Sequence, residues 1–283
     1  MSDTAHTPDD LTIIKRDWKF GRGANYERWW FGGDVIRTAF FTALSATFPI
    51  GEKYFMTSVK HYRDETSMPL RGQIDDFMYQ ESMHSREHVF FNQQAERAGY
   101  DIKKLEERTR KMVNWAKSRP ALLQLSSTCA LEHFTATLAN AALSDDLQLE
   151  GMPEEALQMW RWHAVEEIEH KAVAYDTLVH VTRNRSAFSN WWRRCVVMTF
   201  STIRFHMVLF GNIKDLLKED GLNDAKTWSR MLRYLYCRKG PMRILVVGAF
   251  GYMKPRFHPW DHDDRALVAK TLATFPPAMA AQH

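Results

Sequence analysis

Two Glu-x-x-His motifs constrain this chain more than any other feature of its sequence. One consists of Glu167 and His170, inside the run Trp-His-Ala-Val-Glu-Glu-Ile-Glu-His-Lys at residues 162–171, and the other consists of Glu81 and His84. A spacing of three residues places both side chains of a pair on the same face of an α-helix, one turn apart. Two such pairs on separate helices are typical of a dimetal carboxylate site in a helical bundle. The sequence therefore predicts a metal centre between helices.

The remaining pattern predicts an all-α fold. Apolar residues recur with the 3.6-residue period of a helix, and no convincing strand precedes residue 185. Asp34, Pro69 and Pro120 are suited to helix starts, and Gly99 is suited to a helix end. We expect the segment 49–51, Pro-Ile-Gly, to interrupt the helix that carries Glu52. We expect the helix that carries the second motif to run to about residue 183.

This pattern divides the chain into three parts. We expect an N-terminal segment at residues 1–30, whose first ten residues are frayed, and a ferritin-like four-helix bundle at residues 31–185. A helical, aromatic-rich extension at residues 186–283 should pack on the bundle. The charged helix at residues 101–118 is expected to be a crossover between the second and third bundle helices. Residues 244–250 are either a short buried helix or a strand, and residues 257–260 should close the folded part.

A dimetal carboxylate site needs four carboxylates and two imidazoles, in the order Glu, Glu-x-x-His, Glu, Glu-x-x-His. The chain supplies that order, with one contribution from each of four predicted helices: Glu52; Glu81 and His84; Glu132; Glu167 and His170. Carboxylates bridge two cations and offset their charge, and mixed oxygen and nitrogen ligands suit iron or manganese and also tolerate zinc. We expect two metal ions, with iron as the first choice. Glu52 is the weakest member because Pro49 and Gly51 disturb its helix.

Other titratable residues lie beside these motifs. His88 and His163 share the helical stripes of the two pairs, so each is either a further ligand or a hydrogen-bond partner of a ligand. His133 has the same two interpretations or is a core histidine. Glu166 and His163 are the candidate catalytic bases if the reaction is a hydrolysis. His258 and the acidic run at residues 261–264 are expected to form turns, not a second metal cluster.

Composition narrows the class of protein further. The chain has 38 basic and 34 acidic residues, and the resulting net charge of +4 is too small to indicate nucleic-acid binding by itself. Cys129, Cys195 and Cys237 are far apart and form no Cys-x-x-Cys motif, which argues against a disulfide framework or a thiolate zinc site. The first residues are polar and lack the apolar core of a secretory signal. We therefore expect a cytoplasmic location.

The segment from Trp191 to Phe210 allows two interpretations. It lacks the 18 or more charge-free apolar residues of a membrane-spanning helix, because Arg204 and His206 interrupt it. Tryptophans and arginines beside an apolar stretch fit a helix that lies in the membrane interface. A helix packed against the bundle is the simpler interpretation, and we favour it. Peripheral membrane contact is thus one expectation, and a homodimer is another.

Five stretches of the sequence together resemble a known bacterial family. They are residues 80–92 with Gln-Glu-Ser-Met-His-Ser-Arg-Glu-His, residues 48–52 with Phe-Pro-Ile-Gly-Glu, residues 131–136 with Leu-Glu-His-Phe-Thr-Ala, residues 162–171, and residues 257–260 with Phe-His-Pro-Trp. The family is described as "predicted metal-dependent hydrolase", and the resemblance extends from about residue 30 to residue 265. It implies a bound metal, and the ligand order also resembles the ferritin-like di-iron superfamily of oxygenases, desaturases, N-oxygenases and iron stores.

These observations lead to three functional hypotheses. The first is a non-haem di-iron oxidoreductase that activates O₂ for hydroxylation, desaturation or N-oxygenation of a hydrophobic small molecule or lipid. Because the sequence has no flavin or iron–sulfur motif, this hypothesis needs an external electron donor. The second is a hydrolase that uses a metal-bound hydroxide, although hydrolytic dimetal sites are more often rich in Asp and His and lie on loops. The third is a non-enzymatic iron or stress protein.

Overall fold

The protein is entirely helical in the computed structural model, which describes residues 6–145, 148–237 and 239–276. Within these residues no strand occurs, so the all-α prediction is confirmed. The helices are α1 (Val35–Ser45), α2 (Phe48–Lys60), α3 (Leu70–Arg97), α4 (Ile102–Lys117), α5 (Ala121–Ser144), α6 (Glu154–His170), α7 (Val173–Val181), α8 (Ala187–Glu219), α9 (Ala225–Tyr236), α10 (Pro241–Tyr252) and α11 (Arg265–Leu272). Residues 1–5 of the segment predicted to be frayed, and residues 277–283 of the predicted extension, lie outside the described residues.

Several helix ends follow the local signals in the sequence. The Asp34 carboxylate caps α1 by accepting hydrogen bonds from the backbone N–H groups of Ile36 and Arg37. Pro69 directly precedes α3, and Pro120 directly precedes α5. After α3, Gly99 has a φ of 96°, a left-handed conformation that favours glycine. These ends confirm that capping residues set the helix boundaries.

The prediction that Pro49 and Gly51 interrupt a helix before Glu52 is wrong. Helix α2 begins at Phe48, and Pro49 lies in its first turn. A proline is accommodated there because the first N–H groups of a helix have no intrahelical partner. The break comes earlier, between Ser45 and Phe48. Glu52 therefore lies on a regular helix, with 1% of its surface exposed.

The helix that carries the second Glu-x-x-His motif is shorter than predicted. It ends at His170, and a separate helix begins at Val173. The sequence contains no glycine or proline at this break. The ammonium group of Lys171 lies inside the protein, where it donates a hydrogen bond to the Asp264 carboxylate (2.6 Å) and lies 3.9 Å from the centre of the Trp260 ring. These contacts between distant parts of the chain accompany the break, so local sequence did not reveal it.

The C-terminal part resolves one open alternative and corrects one prediction. Residues 244–250 belong to helix α10, so the helical alternative holds. Residues 257–260 do not close the folded part, because a 3₁₀ turn at Pro259–Asp261 leads into α11. The turn is capped by His258, whose backbone N–H donates to the Asp261 carboxylate. Helix α11 then packs on α6 and α5.

The four helices with predicted ligands are neighbours. Helix α2 packs on α3 and α5, and α6 packs on α5 and α3, so the four enclose a common interior. Helix α4 connects α3 to α5 and packs on α2 and α8, as expected of a crossover. Helix α8 covers the outside of α1, α4 and α5. The ferritin-like identity of this arrangement and the division into three parts stay predictions.

The N-terminal strap, residues 11–20, is non-helical and lies against the bundle. Trp18 and Phe20 are buried, and the Phe20 ring packs on the Trp162 ring with their centroids 5.3 Å apart. Arg16 is also buried, with 1% of its surface exposed. A buried guanidinium requires acidic partners, and those partners lie beside the predicted metal centre.

The packing of α3 on α6 generates a prediction about stability. The Phe77 side chain is fully buried, and its ring centroid lies 4.9 Å from that of His170. We expect Phe77→Ala to lower the free energy of unfolding by about 3–5 kcal/mol, because the substitution removes buried apolar contacts and leaves a cavity. Urea unfolding followed by circular dichroism measures the change. Phe188→Ala is the matched control, since Phe188 is 69% exposed, and equal losses in both variants would contradict this packing.

Candidate metal centre

Four predicted ligands from three helices converge on one point. Ligand atoms of Glu81 on α3, Glu132 on α5, and Glu167 and His170 on α6 all lie within 4.8 Å of one another. Nε2 of His170 lies 3.2 Å from Glu81, 3.4 Å from Glu132 and 3.5 Å from Glu167. All four residues are buried. Three carboxylates and one imidazole in this arrangement could hold a divalent cation.

A second group lies directly beside the first. It consists of Glu52 on α2, His84 on α3 and His163 on α6, again with ligand atoms within 4.8 Å of one another. Glu167 faces both groups, because its Oε1 lies 2.7 Å from Nε2 of His163 and 3.6 Å from Nδ1 of His84, while its Oε2 faces His170. One carboxylate placed between two ligand groups is suited to bridging two cations.

The ligand atoms that face this interior lack hydrogen-bond partners. They are Oε1 of Glu52, both oxygens of Glu81, both oxygens of Glu132, Oε2 of Glu167, Nδ1 of His84 and Nε2 of His170. A buried polar atom without a partner costs about 1–3 kcal/mol, and proteins rarely leave several together. Every one of the six predicted ligands contributes at least one such atom. The residues present therefore fit a pair of bound cations.

Burial shifts the pKa values of several of these groups away from their ordinary values. Burial, reinforced by the charge of Glu132, raises the pKa of Glu81 to about 8, and burial raises that of Glu132 to about 7. Burial and the neighbouring Glu81 hold the pKa of Glu52 well above its usual range. Burial also lowers the pKa of His84, which keeps that imidazole neutral. A bound cation stabilises the ionised carboxylates and displaces their protons.

In each Glu-x-x-His motif, the histidine nitrogen that points away from the carboxylate cluster forms a hydrogen bond with another side chain. Nδ1–H of His170 donates to Oε1 of Gln80 (2.8 Å), so Nε2 is the nitrogen that faces the carboxylates. Nε2–H of His84 donates to Oε2 of Glu166 (3.0 Å), which leaves Nδ1 facing the centre. Hydrogen bonds of this kind fix the tautomer and the ring orientation of metal-binding histidines. Both rings thus present their other nitrogen to the interior.

Arg16 of the N-terminal strap anchors this outer layer. Its guanidinium donates to both oxygens of Glu169 (2.8 and 2.6 Å) and to Oε1 of Glu166 (3.1 Å). Gln80 also donates to Glu169 (2.9 Å). The sequence analysis missed Arg16 and Gln80. Gln80 directly precedes a predicted ligand, but no sequence signal connects Arg16 with residues 150 positions away.

The two candidate catalytic bases occupy different places. Glu166 lies behind His84, and its oxygens accept hydrogen bonds from Arg16, from the indole N–H of Trp162 (2.9 Å) and from His84. These contacts favour a positioning role for Glu166. His163 faces the interior with Nε2, beside Glu52 and Glu167. Their predicted catalytic roles stay predictions.

A chain of hydrogen bonds orients His163. The hydroxyl of Ser45 donates to Oδ1 of Asn92 (2.7 Å), so its oxygen accepts from Nδ1–H of His88 (2.9 Å). Nε2 of His88 then accepts from Nδ1–H of His163 (2.7 Å). The other ring nitrogen of His163, Nε2, points at the second ligand group, where it lies 2.7 Å from Oε1 of Glu167. Of the two interpretations of His88, its contacts favour a hydrogen-bond partner of a ligand.

The remaining sequence candidates lie away from both ligand groups. Nε2 of His133 contacts the backbone carbonyl of Gly248 (2.9 Å), and burial lowers the pKa of His133 to about 4. His258 contacts Asp176 (3.0 Å) on α7. In the acidic run at residues 261–264, Asp263 pairs with Arg265 and Asp264 pairs with Lys171. None of these residues belongs to a metal-sized cluster in the described part of the chain.

The raised carboxyl pKa values predict how metal binding depends on pH. Glu81 and Glu132 hold protons below about pH 8 and pH 7 respectively, and a cation must displace those protons. Metal affinity should therefore rise with pH between pH 6 and pH 8, by up to about tenfold per pH unit for each proton displaced. Isothermal titration of the metal-free protein with Fe²⁺ or Zn²⁺ at pH 6, 7 and 8 measures this. Equal affinity at all three values would contradict the assignment.

The outer layer generates a second prediction. The substitution Gln80→Leu removes the hydrogen-bond acceptor that orients His170 and leaves every predicted ligand in place. We expect metal affinity to fall about 10- to 100-fold, the usual cost of losing such a partner. Gln93→Leu, on the exposed side of the same helix, is the matched control and should bind metal as the natural chain does. The same metal titration compares the two, and an unchanged Gln80 variant would show that His170 needs no such support.

Comparison with known proteins places the chain in a family. A search of curated proteins and a search of solved structures gave no match. The model of the family described as "Predicted metal-dependent hydrolase" matches residues 14–263. This range includes residues 14–20 of the N-terminal strap, both Glu-x-x-His motifs and the turn around Trp260. The chain belongs to the predicted metal-dependent hydrolase family.

Proposed function

We propose that the protein is a dimetal oxidoreductase. One cation would be held by Glu81, Glu132, Glu167 and His170, and the other by Glu52, His84 and His163, with Glu167 between them. The observation that carries the proposal is the set of buried, unpartnered atoms on all six predicted ligands, which face one another across the interior of four helices. Oxygen-rich ligands with histidine suit iron or manganese. Bound iron would supply the electrons for reducing O₂.

An apolar cavity reaches the second ligand group. Its walls include His163 and Glu167, and it extends between α1, α5, α6 and the start of α10. The other lining residues are mostly carbon-rich, among them Phe40, Leu44, Phe48, Leu138, Trp160 and Ile244. The cavity has a volume of about 70 Å³, which is room for several atoms the size of a water molecule. Such walls exclude water from the reacting groups and favour an apolar substrate.

These walls support oxidation of a hydrophobic small molecule or lipid by hydroxylation, desaturation or N-oxygenation. The chain's residues would orient the substrate by apolar contact and hold the ligands still through the outer hydrogen-bonded layer. Because the sequence lacks a flavin or iron–sulfur motif, electrons would come from an external donor. A non-enzymatic iron protein would need no such cavity.

Hydrolysis is the second candidate, and the family description favours it. Two adjacent cations can generate a hydroxide and polarise a carbonyl or phosphoryl group. A hydrolase also needs a base beside the attacking water. Glu166 has its oxygens engaged by Arg16, Trp162 and His84, and both nitrogens of His163 have partners. The family description thus supports hydrolysis, and the carbon-lined cavity beside the second ligand group supports oxidation.

One experiment separates these functions. Protein purified without added metal is analysed by elemental mass spectrometry, reduced without oxygen and then mixed with O₂ in an oxygen electrode. We expect about two iron ions per chain and O₂ uptake that Glu132→Ala abolishes together with the metal. Glu107→Ala, on the surface of α4, is the control. Zinc in place of iron, with oxygen-independent cleavage of ester or phosphate probes, would establish the hydrolase. Iron uptake without turnover would establish a storage role.

A further inference from the structure

Helix α8 exposes a continuous row of large apolar side chains. This apolar stripe consists of Phe188, Trp192, Val196, Phe200, Ile203 and Met207, which recur every three or four residues and are each 40–69% exposed. At 1.5 Å per residue the stripe is about 29 Å long. Scattered exposed apolar residues are common, but a contiguous row of this length indicates a binding surface.

Helix α10 extends the apolar surface. It packs on α8 and exposes Val247 and Phe250, the latter by 70%. The same helix contributes Ile244 to the wall of the cavity beside His163 and Glu167. A single short helix thus has one residue at the candidate active site and others on the exposed apolar surface.

The charge around this surface has one sign. No acidic residue occurs between Asp176 and Asp215, which includes the whole stripe, or between Asp224 and Asp261, which includes α10. Basic residues are frequent in both segments, for example Arg183, Arg185, Arg204, Arg243 and Lys254. The modest net charge of the whole chain conceals this separation. The two segments that expose the apolar residues therefore carry basic and no acidic side chains.

A narrow cleft lies beside the middle of the stripe. Val196 and Phe200 form one wall, and Tyr54 and Leu123 lie among the residues of α2 and α5 that line it. Its volume is about 250 Å³. The guanidinium groups of Arg119 and Arg204 both stack on the Trp115 ring at this cleft, 4.9 and 4.6 Å from its centre, and neither forms an ion pair within the described residues. An apolar cleft with two such cations complements an acyl chain that ends in an anionic headgroup.

We propose that the apolar stripe, with α10 and the cleft, is a binding surface for a bilayer that contains anionic phospholipid. Aromatic and aliphatic side chains would enter the interface while the surrounding arginines contact headgroups. The helix would lie in the plane of the membrane. By length and composition α8 is apolar enough to span a bilayer, but its opposite face is buried against the bundle through Met198, Leu209 and Ile213.

The in-plane orientation is supported by the anchoring of α8. Arg194 is buried, and its guanidinium donates to the hydroxyl of Tyr175 on α7 and to the backbone carbonyl of Lys254. Withdrawing α8 to span a membrane would break these bonds and expose the core beneath it. A symmetric contact between two copies of the chain would place the same arginine-rich surface opposite itself. The like charges of the two copies would then repel each other. The charge therefore favours a lipid surface over self-association.

Vesicle flotation of the full-length protein tests this proposal. The assay does not require that the protein contain bound metal. We expect the protein to float with vesicles of phosphatidylcholine and phosphatidylglycerol, and to bind pure phosphatidylcholine vesicles several-fold more weakly. The double variant Trp192→Ser, Phe200→Ser should bind at least tenfold more weakly, because it removes two aromatic anchors. Met68→Ser, Val89→Ser, which changes exposed apolar residues elsewhere, is the matched control and should float like the natural chain.

A charge series completes the test. Arg119→Gln, Arg204→Gln should reduce the preference for anionic vesicles, whereas Lys19→Gln, Arg97→Gln should not. Absence of flotation with either vesicle, or equal flotation of the stripe variant and its control, would overturn the proposal. If sedimentation shows a dimer that the stripe variant dissociates while vesicles bind nothing, the surface is an interface between copies. Because flotation does not depend on turnover, its failure would leave the proposed oxidoreductase function unaffected.

Discussion

The burial of four carboxylates between four helices is the main electrostatic constraint on this fold, and they belong to Glu52, Glu81, Glu132 and Glu167. Buried carboxylates must be neutralised by protons, by paired cationic side chains or by metal ions. Within the described part of the chain no arginine or lysine forms an ion pair with any of the four. Protons partly fill that role, which is why the pKa values of Glu81 and Glu132 are raised. Metal ions would fill it without leaving lone pairs unpaired.

The layer outside these carboxylates is built on the opposite principle. Glu166 and Glu169 are also buried, but they are paired with Arg16 and accept further hydrogen bonds from Trp162, His84 and Gln80. The outer acids therefore have a paired arginine beside them, whereas the inner acids have no arginine or lysine partner within the described residues. Removing one partner of a buried ion pair destabilises a protein by more than the net contribution of the pair, because the other charge is left buried and unpaired. The N-terminal strap, which contributes Arg16, is therefore a structural part of the site.

Local geometry explains which parts of this arrangement could be predicted from the sequence. The Glu-x-x-His pairs and the helical class follow from spacing within a single helix, so residues such as Glu81 and His84 were identifiable. The break after His170 and the contacts of Arg16 depend on side chains far away in the chain, for example Asp264 and Glu169. Pro49 was misjudged because its effect depends on its position: it breaks a helix interior but fits a first turn. The orientation of His163 depends on Ser45 and Asn92, which no motif marks.

The two proposals assign a common purpose to the buried centre and the exposed surface, namely the binding of apolar molecules. An apolar substrate has a low concentration in water and a high concentration in a bilayer, so an enzyme with a carbon-lined cavity gains from lying at a membrane. Helix α10 connects the two places, because Ile244 lines the cavity and Phe250 is exposed. Helix α8 also connects the two places, since it packs on α5, the helix that carries Glu132, while its outer face is exposed. Helix α8 is apolar on both faces, and burying both faces requires two apolar environments. Within the described residues the bundle covers one face and leaves the apolar stripe exposed.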